Sequence, residues 1–129
     1  MNVRISDGNI ILTINPLYPT KEDWVYSNVS ILSNGLNFCE SIEFHYSDFH
    51  SLYSVFETIE HERNLSWSSI EEKFSIEISN DNNEYLCTIN YNIDDYRQNF
   101  IHIVIRLYES NIRIITKELS SITNWMEMR

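Results

Sequence analysis

Only two glycines, two prolines and two cysteines occur among the 129 residues. So little glycine and proline excludes collagen-like, linker-like and disordered chains. It also leaves few backbone cradles for phosphate, and no glycine-rich phosphate loop, nucleophile elbow or zinc-protease helix is present. Cys39 and Cys87 lie far apart without Cys-x-x-Cys spacing, so both read as reduced thiols. No apolar run approaches the roughly 18 residues of a membrane span. The opening Met1-Asn2-Val3-Arg4-Ile5-Ser6-Asp7 lacks a secretory apolar segment, so a cytoplasmic protein without membrane contact is expected. Basic residues are scarce as well, 9 against 19 acidic, for a net charge of -10. Such a surface repels phosphate backbones, and the nine cations form no stripe, so charge alone argues against direct nucleic-acid contact.

What the chain does have is apolar and aromatic residues, 43% and 13% of the total. A single domain spanning 1–129 is expected, large enough to bury roughly two thirds of the surface of its unfolded chain. Hairpin signals are legible because each turn can be tested by whether it keeps the apolar residues of both strands on one face. A two-residue Asp7-Gly8 turn sets Ile5 opposite Ile10 and Val3 opposite Leu12. Asn34-Gly35 pairs Ile31 with Phe38 and Val25 with Phe44. A turn at Asp81-Asn82 pairs Ile78 with Tyr85, Ile76 with Cys87 and Phe74 with Ile89, and a loop over Asp94 to Gln98 pairs Ile89 with Ile103. Strands are therefore expected near 2–6, 9–15, 25–33, 36–45, 71–79, 84–93 and 99–107. Residues 16–23 and 62–70 read as connections.

Two segments switch from a period of two to 3.6. Phe49, Leu52, Tyr53, Phe56 and Ile59 define one face of a first helix, with Ser47 as its N-cap. Ile112, Ile115, Leu119, Ile122 and Met126 form the stripe of a second helix that begins after Ser110. The pattern gives an α+β domain, a largely antiparallel meander of about seven strands with two helices on its apolar face. Each half ends in hairpin, strand and helix, so a degenerate duplication is conceivable.

Candidate chemistry is sparse. His50, Glu57 and His61 share one side of the first helix, yet His50 and Glu57 stand about 10 Å apart along it, too far to hold one metal. Glu57 and His61 then read as a solvated pair, and no metal or cofactor is implied. Glu40 is more interesting, because the Asn34-Gly35 register places it on the apolar face opposite Val29. Buried alone it would have a raised pKa, as a general acid has. A bulge, an edge-strand device against aggregation, or a pairing with Arg or Ser27 explains it equally. His102 and Arg106, on the face opposite Ile101, Ile103 and Ile105, can bind an anion or simply line the exposed side of a strand. A weaker possibility is a small enzyme using Glu40 with His45 or His102; the expectation is no enzymatic activity.

Tyr and Trp are numerous enough that some must reach the surface, where they serve as binding anchors. Ile114 and Trp125 fall together beside the main stripe of the last helix, either widening the core face or forming a contact patch and possible homodimer face. Candidate partner-binding residues are Glu71, Glu72, Asp94, Asp95, Tyr96, Trp67, Ile114 and Trp125, acidic groups beside aromatic and apolar anchors.

The order of these features resembles the WapI-type immunity proteins of bacterial polymorphic and contact-dependent toxin systems. The resemblance rests on the opening Ile5-Ser6-Asp7-Gly8-Asn9 hairpin, the loop ending in Asp23-Trp24, the strand Asn28-Val29-Ser30-Ile31 and the helix Ser47-Asp48-Phe49-His50-Ser51-Leu52. It implies an immunity protein that binds and blocks a cognate, basic toxin domain such as a nuclease. The alternative from the charge is an acidic phage-type inhibitor that mimics nucleic acid, in the manner of an anti-CRISPR protein.

Overall fold

A computed structural model describes residues 1–94 and 99–128. Among these, eight strands form two antiparallel sheets, each a four-stranded meander closed by a helix. The first half runs β1 (Val3–Ser6), β2 (Ile11–Lys21), β3 (Trp24–Ser33), β4 (Leu36–His45) and α1 (Tyr46–Thr58), with a short 3-10 turn at Ile59–His61. The second runs β5 (Asn64–Ser68), β6 (Phe74–Asp81), β7 (Glu84–Asn92), β8 (Phe100–Tyr108) and α2 (Glu109–Glu127). The expected α+β class, antiparallel pairing and two helices are all present. The single meander of about seven strands resolves into two sheets of four.

The strand pattern follows from alternation. Val3 and Ile5, Leu12 and Ile14, Val25, Val29 and Ile31 point into the core from the first sheet, and Phe74, Ile76 and Ile78, Tyr85, Cys87 and Ile89, Ile101, Ile105 and Leu107 from the second. The Asn34-Gly35 turn gives the expected register, Ile31 with Phe38 and Val25 with Phe44, and Ile89 meets Ile103. Two other registers are corrected. Ile5 faces Leu12 and Val3 faces Ile14, because the carboxylate of Asp7 accepts from the backbone N–H of both Asn9 and Ile10 and so holds a longer connection. Ile78 faces Cys87 and Phe74 faces Tyr91, because the turn residues are Asn82 and Asn83, both at positive φ. Each slip is two residues, which leaves every side chain on its face.

Residues 16–21, expected as connection, extend β2, and residues 64–68 form β5. Pro16 and Pro19 are tolerated because β1 pairs only with Ile11 to Ile14, so the remainder of β2 is hydrogen-bonded on one side and carries two register shifts. The first helix is capped by His45 rather than Ser47. The Nδ1 of His45 accepts from the N–H of Ser47, while Asp48 Oδ2 accepts from the N–H of His45 at 2.9 Å. The second helix repeats this entry, Asn111 Oδ1 accepting from the N–H of Tyr108 at 2.9 Å. The two halves therefore share their order of elements and their strand-to-helix junction, as a degenerate duplication would.

The halves are interlocked. Helix α1 packs on α2 and on β5, and α2 packs on β1, so each helix lies against the first strand of the other half. An aromatic seam joins the sheets, with Phe44 meeting both Phe49 and Phe74, and Phe74 meeting Trp67 and Tyr91. Asp48, only 3% exposed, is the polar centre of the junction. Its Oδ1 accepts from the N–H of Ile70 at 2.9 Å, and its backbone carbonyl accepts from Trp67 Nε1 at 3.0 Å. Burial pushes its carboxyl above the ordinary value of 3.8, against the backbone N–H groups of His45 and Ile70 and the charge of His45.

Two predictions follow from these buried groups. Asp48→Ala removes two backbone hydrogen bonds and a cap, and should cost about 3 kcal/mol in urea unfolding. With a folded pKa above the unfolded one, Asp48 contributes most below about pH 3.8 and progressively less as pH rises through its folded value. The stability advantage of the wild type over Asp48→Asn should shrink from acid toward neutral pH; an advantage that grows would contradict the burial argument. The Ser27 and Tyr85 hydroxyls are buried without a hydrogen-bond partner among the described residues. Tyr85→Phe and Ser27→Ala should therefore be neutral or stabilising by up to about 1 kcal/mol, read in the same titration.

Candidate binding surface

The strongest candidate surface is built by β8. Its alternation sends Ile101, Ile105 and Leu107 inward and Phe100, His102, Val104, Arg106 and Tyr108 outward. The outward row spans eight residue steps, about 26 Å. Phe100 is 59% exposed, Tyr108 53% and Val104 44%, and Leu86, in register with Arg106, adds a fourth exposed apolar group. His102 is fixed on this face by Asn90, whose Oδ1 lies 2.6 Å from its Nδ1. The amide oxygen can only accept, so Nδ1 carries the hydrogen and Nε2 faces outward.

At the Tyr108 end the row opens into a groove of about 760 Å³ where the two halves meet. Arg4 and the Asp7-Gly8 turn line it from the first half, Arg106, Tyr108, Ile114 and Glu118 from the second. Arg4 and Arg106 are exposed, and among the described residues neither guanidinium has an ion-pair partner, in contrast to Lys73 with Glu40 and Arg113 with Glu109. The groove's carboxylates are already engaged. Asp7 accepts from the N–H groups of Ile10 and Asn9, which hold its pKa below the ordinary value. Glu118 Oε1 accepts from the N–H of Arg4 at 3.2 Å. Two uncommitted guanidiniums beside an exposed phenol and an isoleucine can take an anion and a flat ring together.

The residues expected to bind a partner do not form one site. Trp67 is corrected from surface anchor to core residue, because its ring packs on Phe74 and its Nε1 serves Asp48 and Ser51. Trp125 packs against the core, whereas Ile114 is exposed in the groove, so the pair is not one open dimer face. Glu71 and Glu72 are exposed in the β5–β6 connection, and Asn92 Nδ2 donates to the carbonyl of Glu72, bringing that connection to the end of β7 where Asp94 lies. Asp95 and Tyr96 fall outside the described residues. The Arg4–Arg106 pairing was invisible in sequence, since its members are separated by the whole fold; only the outward phase of Arg106 was legible.

Glu40 is not bulged outward. It holds its expected register opposite Val29 and lies on edge strand β4. Its Oε1 accepts from Lys73 Nζ at 2.8 Å and its Oε2 from the Tyr91 hydroxyl at 2.5 Å, so one carboxylate ties the first sheet to the second. Desolvation and then the hydrogen bond to Glu40 push the Tyr91 hydroxyl well above its ordinary pKa. His50 and Glu57 are exposed on α1 and His61 on the 3-10 turn that follows it, and no three His, Cys, Asp or Glu side chains come together among the described residues. No helix among the described residues is long and apolar enough to cross a membrane.

No family model matches the chain, and no curated protein matches it. Solved structures do. A structure of the plant transcriptional regulator PBF-2 aligns over 99% of this chain and 85% of its own with a TM-score of 0.52 at 7% identity. The crystal structure of WHY3 from Arabidopsis thaliana aligns over 95% of this chain and 86% of its own with a TM-score of 0.53 at 10% identity. This chain shares their fold. The likeness corrects the functional expectation, since the architecture is one found in a plant transcriptional regulator. The immunity function, its toxin partner and the nucleic-acid mimic are set aside, and so is the exclusion of direct nucleic-acid contact. That exclusion summed charge over the whole chain, whereas the acids lie mostly in helices and turns and the outward row of β8 carries none.

The Glu40 tie is testable by unfolding. Glu40→Ala leaves the Tyr91 hydroxyl and Lys73 without their partner and should cost about 2 kcal/mol, while Tyr91→Phe should cost about 1 kcal/mol. Equal stability of Glu40→Ala and wild type would show that the tie contributes nothing.

Proposed function

We propose that this chain is a non-enzymatic, cytoplasmic protein that binds single-stranded nucleic acid along the outward row of β8 and into the Arg4–Arg106 groove. The observation that carries this reading is the pair of uncommitted guanidiniums at the end of an exposed row holding Phe100 and Tyr108. Unpaired bases offer faces to the rings, and phosphates between them reach the arginines. A duplex hides those faces. The transcriptional regulator of like fold supports the assignment, because regulating transcription means acting at nucleic acid. With a net charge of -10, binding here depends on stacking more than on charge, and long-range steering by the whole molecule is unfavourable.

Fluorescence anisotropy with labelled oligothymidine across a salt series tests this. Two phosphate contacts on a single strand predict a slope of log affinity against log salt of about -1.4. Arg106→Ala should reduce that slope to about -0.7. Tyr108→Ala should weaken binding about tenfold or more at an unchanged slope. Absence of binding, or preference for duplex over single strand, overturns the proposal.

A further inference from the structure

The groove borders the outer face of the first sheet, because Arg4 lines the one and belongs to the other. That face is built by the alternate residues not used in the core. In register across it run Arg4, Thr13, Ser30 and Cys39, then Asn15, Asn28 and Ser41, then Tyr18, Tyr26 and Glu43. Amides and hydroxyls dominate it. Of the chain's 19 acidic residues, Glu43 is the one among the described residues that lies within these rows, with Glu22 and Asp23 at the bordering turn. Arg4 marks the near edge. At the far end Tyr18 stacks on Tyr26 with ring centroids 5.2 Å apart and an interplanar angle of 27°, and Tyr18 is 52% exposed, leaving one ring face open. Trp24 and His45 complete the aromatic end, edge to face at 5.2 Å.

We propose that this outer face is a second contact surface for the same single-stranded ligand, with the Tyr18–Tyr26 stack as its far anchor. The inference rests on the β8 reading and lengthens its footprint. A strand leaving the groove past Arg4 meets a face that carries little negative charge to repel phosphate, offers amides and hydroxyls to sugars and base edges, and ends on an open ring. Short ligands are satisfied by β8 and the groove. Longer ones, toward the upper end of the roughly 4 to 16 nucleotides that single-strand modules cover, gain the second station.

Cys39 makes the path measurable in the unmodified protein. It is exposed on this face, three strand spacings or about 14 Å from Arg4. Cys87 does not interfere, since burial pushes its thiol up to about 12. Alkylation of Cys39 by iodoacetamide, followed by mass spectrometry, is compared with saturating 4-mer and 16-mer oligothymidine. The 16-mer should slow alkylation at least fivefold and the 4-mer should leave it unchanged. In parallel, Tyr18→Ala should weaken the 16-mer about tenfold while the 4-mer is unaffected. If both lengths bind with Arg106-dependent affinity, yet Cys39 reacts at its free rate and Tyr18→Ala is silent, the second surface is overturned and the β8 reading stands. If neither length binds, the β8 reading fails and this inference fails with it.

Discussion

The contact on which the rest of this structure depends is the junction at Asp48. A carboxylate that is almost wholly out of water can be kept only if fixed donors satisfy it, and here those donors come from both halves: the N–H of His45 before the first helix and the N–H of Ile70 beyond β5. Trp67 adds a bond to the backbone carbonyl of the same residue and sets its ring into the aromatic seam. One residue thus caps a helix, fixes a connection of the second half and orients the largest side chain at the sheet interface. The surface features inherit their geometry from this, because the relative placement of the halves decides that Arg4 and Arg106 share a groove.

Where the sequence was informative, the reason was local chemistry. Asn34-Gly35 set the β3–β4 register to the residue because a two-residue turn leaves no slack. The stripe of α2 was legible in full, all five of its predicted apolar positions being buried. Where turns contained one more competent residue than expected, as at Asn82-Asn83, pairing slipped by two and the faces survived. β5 was missed because Asn64-Leu65-Ser66-Trp67-Ser68 has only two apolar residues and no turn signal on either side. His45 was missed as a cap because Ser47 offered a commoner one.

The division into two sheets, and with it the site, was not legible. Alternation tells which face a residue occupies but not which sheet that face belongs to, and the groove is assembled from residues a hundred positions apart. Net charge misled for a related reason: it averages over a surface whose acids are concentrated on helices and turns, while the outward row of β8 carries none and the outer rows of the first sheet only Glu43.

The exchange of helices between halves also bears on how the molecule comes into being. When the first 61 residues leave the ribosome, α1 has neither β5 nor α2 to cover its apolar side, and Asp48 lacks the donor from Ile70. The first sheet likewise waits for α2, whose residues follow the whole second sheet, to close over β1. Neither half can therefore close its core until the other has emerged, and the interval during which the aromatic seam lies open is the interval in which a chaperone has something to hold.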